Sequence, residues 1–283
     1  MQQPQYKSNF ELKFLARVQT GQYLGILVGA ILLKFAITFM AVNLVSSQFP
    51  ASNAAGFVVN YIAVFGVQVA ASVLNVGTSY IFLKSACGMQ STIRDLFCGF
   101  QENTAKILKI GAVIAVIESI CMIPLEIASA LYTELINSLA PLSGGSAGEL
   151  GLFRAGSSMD SNALLESYSI LYSASMKFYL IMFVCSVISL ILTLPFFPAF
   201  YMVLDFPDWS ASTILKKSFE VMSGHKLRLF LLYVSFIPAF LLSLFTCGIM
   251  LIWVIPYQSM ALTNLYLDIM AVRNKTVDNT VTI

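Results

Sequence analysis

The stretch that decides the fold runs from Leu192 to Ile269 and reads LTLPFFPAFYMVLDFPDWSASTILKKSFEVMSGHKLRLFLLYVSFIPAFLLSLFTCGIMLIWVIPYQSMALTNLYLDI. Within it, an apolar run enters a short charged segment, and two further apolar runs follow that segment. This alternation is typical of a membrane protein whose chain turns at one face of the bilayer. The stretch therefore predicts location and architecture, and it predicts no reaction.

The composition agrees with a lipid environment. Hydrophobic residues make up 58% of the chain and charged residues 11%, against roughly 25% charged residues in soluble domains. The net charge of +2 is small and spread over several loops, so no nucleic-acid partner is expected. The cysteines stand singly, without paired spacing, and are interpreted as small buried hydrophobic residues.

Six apolar runs approach or exceed the length of about 20 residues that a helix needs to cross the hydrocarbon core. In lipid each run must be helical, because its backbone polar groups need partners within the segment. The sequence therefore predicts an all-α polytopic membrane protein with these six spans: Gly21–Val45, Phe57–Leu83, Ile107–Leu131, Lys177–Val203, Leu227–Thr246 and Gly248–Met270.

These spans divide the chain into three parts. Residues 1–20 are predicted to form an amphipathic N-terminal arm, residues 21–270 the transmembrane domain, and residues 271–283 a disordered tail. An external loop of about residues 132–176 is expected to join the third span to the fourth; its first part is rich in Gly and Ser, and residues 162–175 are expected to form a short helix.

Basic residues are distributed unequally between the two faces of the predicted bundle. Thirteen Lys and Arg residues lie in the arm, the second and fourth connections and the tail, whereas the other face has Arg154, with Lys177 at its rim. Because basic connections stay in the cytoplasm, both termini are expected there. This placement requires an even number of spans.

Two connections on the basic face predict amphipathic helices that lie in the membrane interface. The first begins with a capping box of Thr92 and Asp95. It places four apolar residues on one face at helical spacing: Ile93, Leu96, Phe97 and Phe100.

The second such connection is the candidate interfacial elbow. Asp208 is expected to cap a helix from Trp209 to Met222, and Gly224 to end it. Its predicted apolar face is Ala211, Leu215 and Met222. Because the two connections resemble each other at an offset of 121 residues, they also suggest a parallel internal repeat. The elbow comprises Asp205, Asp208, Lys216, Lys217, His225, Lys226 and Arg228.

Polar side chains inside the spans are the candidates for a functional site, because such groups are costly in lipid unless they are paired. On the second span, Asn60, Gln68 and Asn75 fall within about 80° of arc. They are interpreted either as hydrogen-bond partners between helices or as the lining of a hydrated cavity.

The remaining intramembrane candidates are charged. Lys34 on the first span and Glu118 on the third are expected to lie at comparable depths, and Glu126 is the second candidate partner for Lys34. The two interpretations are a structural ion pair and a site linked to protons or cations.

Glycines and prolines mark further positions on the spans. Gly21, Gly25 and Gly29 repeat every four residues and are interpreted as a packing seam for another helix. Prolines, which bend helices, occur within four spans, and they are interpreted as packing features or as the border of a substrate cavity. They are Pro124, Pro195 with Pro198, Pro238 and Pro256.

Signatures of enzymes are weak. Residues 144–148 match G-x-S-x-G, but they lie in the predicted external loop, on the opposite side from His225, which is the only histidine. One histidine and unclustered cysteines predict no zinc site, and no phosphate-binding glycine loop is present. No catalytic residue, metal or cofactor is therefore expected.

Three segments resemble the bacterial multi-pass membrane proteins grouped as domain of unknown function 975. They are FELKFLARVQTG at residues 10–21, RDLFCGFQENTAKIL at residues 94–108, and the long block that begins LDFPDW at Leu204. The resemblance implies a bacterial plasma-membrane location and the same number of helices. It implies no activity.

Three functions stay open at this point. The first is the binding or passage of lipid-like or small amphipathic molecules, based on the polar groups in the spans and on the prolines. The second is a structural or assembly role with other membrane proteins, based on the glycine seam and the amphipathic helices. An intramembrane enzyme is the least favoured. The expected partners are the lipid bilayer and either a bound lipid or another membrane protein.

Overall fold

The structure is a computed structural model that describes residues 6–49, 54–101, 103–139 and 161–281. All regular elements in these ranges are helical, which confirms the predicted all-α fold. The α-helices are α1 (Asn9–Gln48), α2 (Ala54–Ala86), α3 (Thr104–Leu139), α4 (Ser161–Thr193), α5 (Ala199–Asp205), α6 (Ala211–Met222), α7 (Lys226–Val234), α8 (Ile237–Phe245) and α9 (Leu251–Val281). Ile93–Phe100 and Leu194–Phe196 form 3-10 helices.

Five helical segments in the described part of the chain are long and apolar enough to cross a membrane: Asn9–Gln48, Gly56–Ala86, Thr104–Asn137, Ser169–Asp205 and Lys226–Phe245. They match five of the six predicted spans. The sixth prediction falls on α9, which is helical but is not among these five. Polar residues such as Gln258, Asn264 and Asp268 make α9 less apolar, so the sixth span stays a prediction.

The chain divides into two compact units, Met1–Ala115 with Leu194–Ile283, and Val116–Thr193. The core of the first unit lies where α1, α2 and α9 pack together. Leu12 and Ala16 from α1, Phe82 from α2, and Met260 and Leu265 from α9 are almost completely buried there. Burial of such side chains contributes roughly 1.5–3 kcal/mol each in water, and in lipid the same contacts act through close packing.

The second unit contains the remainder of α3 and all of α4. The rings of Tyr132 and Phe178 stack in it with their centroids 5.5 Å apart. Both helices continue into the predicted external loop, since α3 ends at Leu139 and α4 begins at Ser161. The predicted short helix 162–175 is thus part of α4, and residues 140–160 lie outside the described residues.

Both predicted terminal segments are helical where they are described. The arm is the first part of α1, which begins after the Ser8 cap and has non-helical backbone angles at Tyr23, close to the predicted boundary with the span. The tail was predicted to be disordered, but α9 extends to Val281. The disorder of the tail stays a prediction.

Prolines act in two different ways. Pro195 and Pro198 lie where α4 gives way to a 3-10 turn and then to α5, and Pro238 lies at the start of α8, just after the break from α7. Pro124 and Pro256, by contrast, lie within helices that continue through them. Two of the four predicted bends are therefore interruptions of the helix.

The first predicted interfacial helix is a 3-10 helix, which corrects the α-helical prediction. In a 3-10 helix residues i and i+3 eclipse each other. Leu96 and Gly99 therefore face the protein, whereas Phe97 and Phe100 form a separate exposed row. The four apolar residues do not share one face, because their predicted common face required 3.6 residues per turn.

The second interfacial helix is α6, and its end at Met222 before Gly224 agrees with the prediction. Its cap was predicted wrongly. The side chain of Ser210, not of Asp208, accepts the hydrogen bond from the Thr213 N–H, because residues 206–209 form a turn in which the rings of Phe206 and Trp209 stack at 4.1 Å.

The buried face of α6 also differs from the prediction. It consists of Ile214, Ser218, Val221 and Met222, while Ala211 and Leu215 are only half-buried. Because the two interfacial segments differ in helix type, the internal repeat stays a prediction of the sequence.

Close helix approach occurs at glycines other than those of the predicted seam. A Cβ atom on Gly77 would lie 1.8 Å from the Leu96 carbonyl oxygen, and one on Gly111 would lie 2.2 Å from the Ser72 Oγ. Around Gly21 and Gly25, by contrast, nothing lies within 4 Å of such an atom, and Gly29 has only the tip of Ile93 at 3.7 Å. The predicted seam is not used for close packing at Gly21 or Gly25.

Candidate functional site

A cavity of about 400 Å³ lies at the end of the first unit that carries Lys84 and Lys106, which we call the basic end. It is partly open, and its walls are formed by the last turns of α2, the 3-10 helix Ile93–Phe100, the start of α3 and the end of α5. Close contact between Gly77 and Leu96 holds the 3-10 helix against α2 and so sets the position of this wall. The lining residues are Val76, Tyr80, Asp95, Cys98, Gly99, Gln101, Asn103, Ile107, Val203, Leu204 and Pro207.

One wall of this cavity is polar and carries an ion pair. The Lys84 Nζ donates to the Asp95 Oδ2 at 2.9 Å, and the same carboxylate oxygen accepts the Thr92 N–H at 2.8 Å, which is the predicted capping interaction. Partial burial raises the pKa of Asp95, but the hydrogen bonds from Thr92 and Lys84 and the charge of Lys84 outweigh burial and hold that pKa below its ordinary value. Asp95 is therefore ionised at neutral pH.

A second part of the wall is apolar. Val76 and Ile107 are almost completely buried, and Val203 and Leu204 continue this surface from α5. The Lys106 Nζ donates to the Pro207 carbonyl oxygen and so joins the start of α3 to the connection after α5. A molecule with one polar end and one apolar part matches these two walls.

The elbow residues gather at the same end of the first unit, but they form pairs instead of one site. The Arg228 Nη2 contacts the Asp268 Oδ2 at 2.7 Å, the Lys217 Nζ contacts the Glu220 Oε2 at 2.8 Å, and the Tyr266 hydroxyl donates to Asp205. The Lys226 Nζ lies 4.3 Å from the centroid of the Phe219 ring. Lys216 and Asp208 are exposed.

His225 lies against the N-terminal segment. Its ring meets the Tyr6 ring edge-on with the centroids 4.8 Å apart. Burial and the nearby charge of Arg228 lower the pKa of His225 below its usual 6.5, against the opposing effect of Asp268. His225 is therefore neutral at neutral pH.

The polar stripe of the second span does not form one continuous site within the first unit. The Lys34 Nζ donates to the Asn75 Oδ1 at 3.2 Å, whereas the Asn60 side chain donates to the Phe49 carbonyl at the end of α1, at 2.7 Å. Gln68 is exposed. Asn75 thus bonds across to another helix, and both interpretations of the stripe stay predictions.

Glu118 and Glu126 belong to the second unit, where Glu118 is exposed and Glu126 is half-buried. Their predicted pairing with Lys34, which belongs to the first unit, stays a prediction.

Several residues of the basic end were missed by the sequence reasoning. Asp268 also accepts hydrogen bonds from the backbone N–H of Lys7, at 3.2 and 3.4 Å, and Asn264 donates to the Gln19 side chain at 2.7 Å. Asp268 is the only acidic residue between Leu251 and Met270, and a single carboxylate within an apolar run is a signal that could have identified it. In the sequence, Lys84 is one of the basic residues that flank the second span, and nothing there indicates its pairing with Asp95.

Metal-binding chemistry has no support from the described residues: three or more His, Cys, Asp or Glu side chains are nowhere grouped there so that they could hold an ion.

Comparison with known proteins gives one result. Neither the curated proteins nor the solved structures contain a match to this chain. A family model described as "Protein of unknown function (DUF975)" matches residues 1–273. This range includes the three segments on which the resemblance rests and nearly the whole sequence, so the chain belongs to this family of proteins of unknown function.

Proposed function

We propose that this protein is a non-enzymatic integral membrane protein that binds a lipid-like or small amphipathic molecule in the cavity at its basic end. The observation that supports this proposal is the pairing of a polar wall around Asp95 with an apolar wall around Val203 and Leu204 in one cavity of about 400 Å³. Ligand sites are commonly concave and combine apolar surface with a few placed polar groups.

We further propose that the membrane is the bacterial plasma membrane and that both termini lie in the cytoplasm. The excess of Lys and Arg on one side of the predicted spans supports this orientation. The cavity would then open near the cytoplasmic leaflet, where the polar end of a lipid-like molecule lies beside its apolar chains.

Filling the cavity tests the proposal. The variant Leu204→Trp adds a large ring to the apolar wall, and Leu227→Trp makes the same change at an exposed position on α7 that does not line the cavity. After gentle extraction in detergent, native mass spectrometry should detect a bound small molecule on the wild type and on Leu227→Trp, and at least about tenfold less on Leu204→Trp.

Equal ligand occupancy in the two variants, or an empty wild type, would contradict binding in this cavity. A matching size-exclusion profile of the three proteins shows that the tryptophan substitutions leave the fold intact.

A second function, assembly with another membrane protein, is favoured by the open space over Gly21 and Gly25. Small residues on an exposed face let another helix backbone approach closely. The same mass spectra would show a protein partner instead of a small molecule, and Gly25→Leu would remove it.

A further inference from the structure

The N-terminal part of α1 has apolar residues on two faces. Leu12, Ala16 and Thr20 are completely buried against the rest of the first unit. On the opposite face Phe10 and Phe14 are 80% and 62% exposed, and Val18 is also exposed. These three residues, at four-residue spacing, form an apolar stripe that we call the arm stripe. Within the described residues, no part of the chain covers the arm stripe as completely as the first unit covers Leu12, Ala16 and Thr20.

Basic residues border the arm stripe. Lys7 and Arg17 are exposed. Lys7, which precedes the helix, lines a shallow groove together with Phe10 and Phe14, and Arg17 lies about 60° from Phe14 around the helix axis. The carboxylate of Glu11 accepts the Ser8 N–H at 2.7 Å, so this acidic group is engaged in the cap of the helix. Aromatic and apolar residues flanked by Lys and Arg are typical of helices that lie on an anionic membrane surface.

The position of the arm stripe along α1 also agrees with a lipid surface. Val18 and Phe14 precede Gly21, the start of the predicted span, by three and seven residues, or about 5 and 10 Å of helix rise. A headgroup layer is roughly 5–7 Å thick, taken as half the difference between the full bilayer and its hydrocarbon core. The stripe thus begins at the depth of the headgroups, and the non-helical angles at Tyr23 allow the arm to leave the direction of the span.

We propose that the arm stripe of Phe10, Phe14 and Val18, with Lys7 and Arg17, docks on the surface of an anionic lipid bilayer. The occupant is the headgroup layer of the membrane that holds the protein itself. The rings insert at the boundary between headgroups and acyl chains, and the two cations lie among the lipid phosphates. This inference is independent of the ligand proposed for the cavity.

The test uses the full chain with its native cysteines replaced by serine and one cysteine introduced at Phe14→Cys, labelled with an environment-sensitive fluorophore. The control is Ser212→Cys, at an exposed position on α6. Both proteins are reconstituted into vesicles of phosphatidylcholine alone and of phosphatidylcholine with an equal amount of phosphatidylglycerol. Quenching is measured with lipids spin-labelled near the headgroup and with aqueous iodide.

The label at position 14 should be quenched by the spin-labelled lipids, more strongly in the phosphatidylglycerol vesicles, while the label at position 212 should be quenched by iodide. Adding Lys7→Gln and Arg17→Gln should abolish the preference at position 14 for the phosphatidylglycerol vesicles, since each cation near an anionic surface is worth roughly a fivefold change in partition.

Quenching at position 14 by iodide alone would overturn the proposal. Protection from both quenchers would also overturn it, since a second protein copy would then cover the face. Equal lipid quenching in the two kinds of vesicle would overturn the requirement for anionic lipid.

Discussion

Asp268 is the residue on which three parts of the first unit converge: α9, which carries it, α7 through Arg228, and the N-terminal segment through the Lys7 backbone. Its side chain is only 6% exposed, and that of Arg228 is 17% exposed. Because so little water solvates these charged groups, removal of either partner leaves the other charge uncompensated and destabilises the folded protein. The same guanidinium also donates to the Lys7 carbonyl and covers the Tyr6 ring, so it anchors the start of the arm.

We expect Asp268→Asn to lower the free energy of unfolding by about 2 kcal/mol, because the buried guanidinium of Arg228 loses its counter-charge. The matched control is Lys217→Gln, which breaks an ion pair whose two side chains are 39% and 53% exposed and should cost less than about 0.5 kcal/mol. Thermal unfolding in detergent compares the two variants. Equal losses would show that the Asp268 pair is no stronger than a surface contact.

The lowered pKa of His225 predicts a pH dependence. In the unfolded chain this group takes up a proton near pH 6.5, whereas in the folded protein it does so only at lower pH. Between these two values the unfolded state binds more protons, so stability rises as the pH increases. The wild type should therefore become more stable between about pH 5 and about pH 7, and His225→Asn should show a smaller slope. An unchanged slope in the variant would assign the effect to other groups.

At the scale of elements, the wall of the cavity depends on how closely the 3-10 helix Ile93–Phe100 approaches α2. Gly77 permits this approach, because any Cβ there would collide with the backbone carbonyl of Leu96. A backbone atom cannot rotate away as the end of a flexible side chain can. The whole 3-10 helix, and not a single side chain, must therefore move when Gly77 is replaced by a larger residue.

We expect Gly77→Ala to destabilise the protein by more than about 3 kcal/mol or to prevent its folding, since overpacking against backbone is costly. Gly66→Ala, on the same helix with nothing within 4 Å of the new Cβ, should be neutral or stabilising by up to about 1 kcal/mol. Melting temperatures in detergent report both effects. A stable Gly77→Ala protein with an unchanged melting temperature would contradict the observed contact.

At the scale of the whole molecule, two native cysteines serve as topology probes. Cys87 is exposed in the turn after α2, at the basic end, and Cys247 is exposed in the turn after α8. In variants that retain one cysteine each, a membrane-impermeant maleimide added to intact cells should label Cys247, and it should label Cys87 only after the membrane is permeabilised. Labelling of Cys87 in intact cells would reverse the proposed orientation of the chain.

The sequence by itself determined the helical class, the membrane setting, five of the apolar spans, and the stop of α6 before Gly224. Each of these depends on local composition or on hydrophobic periodicity, and both can be recognised in the sequence without knowledge of the contacts between distant residues. Only the tertiary structure decided that Lys84 pairs with Asp95, that Lys34 bonds to Asn75, and that the helix around Leu96 has a 3-10 form. These features arise from contacts between different elements, and α9 shows the reason most clearly. Its polar residues lower the hydrophobicity by which a span is recognised in the sequence. In the folded protein, however, Asn264 pairs with Gln19 and Asp268 pairs with Arg228, and these contacts keep α9 in the core.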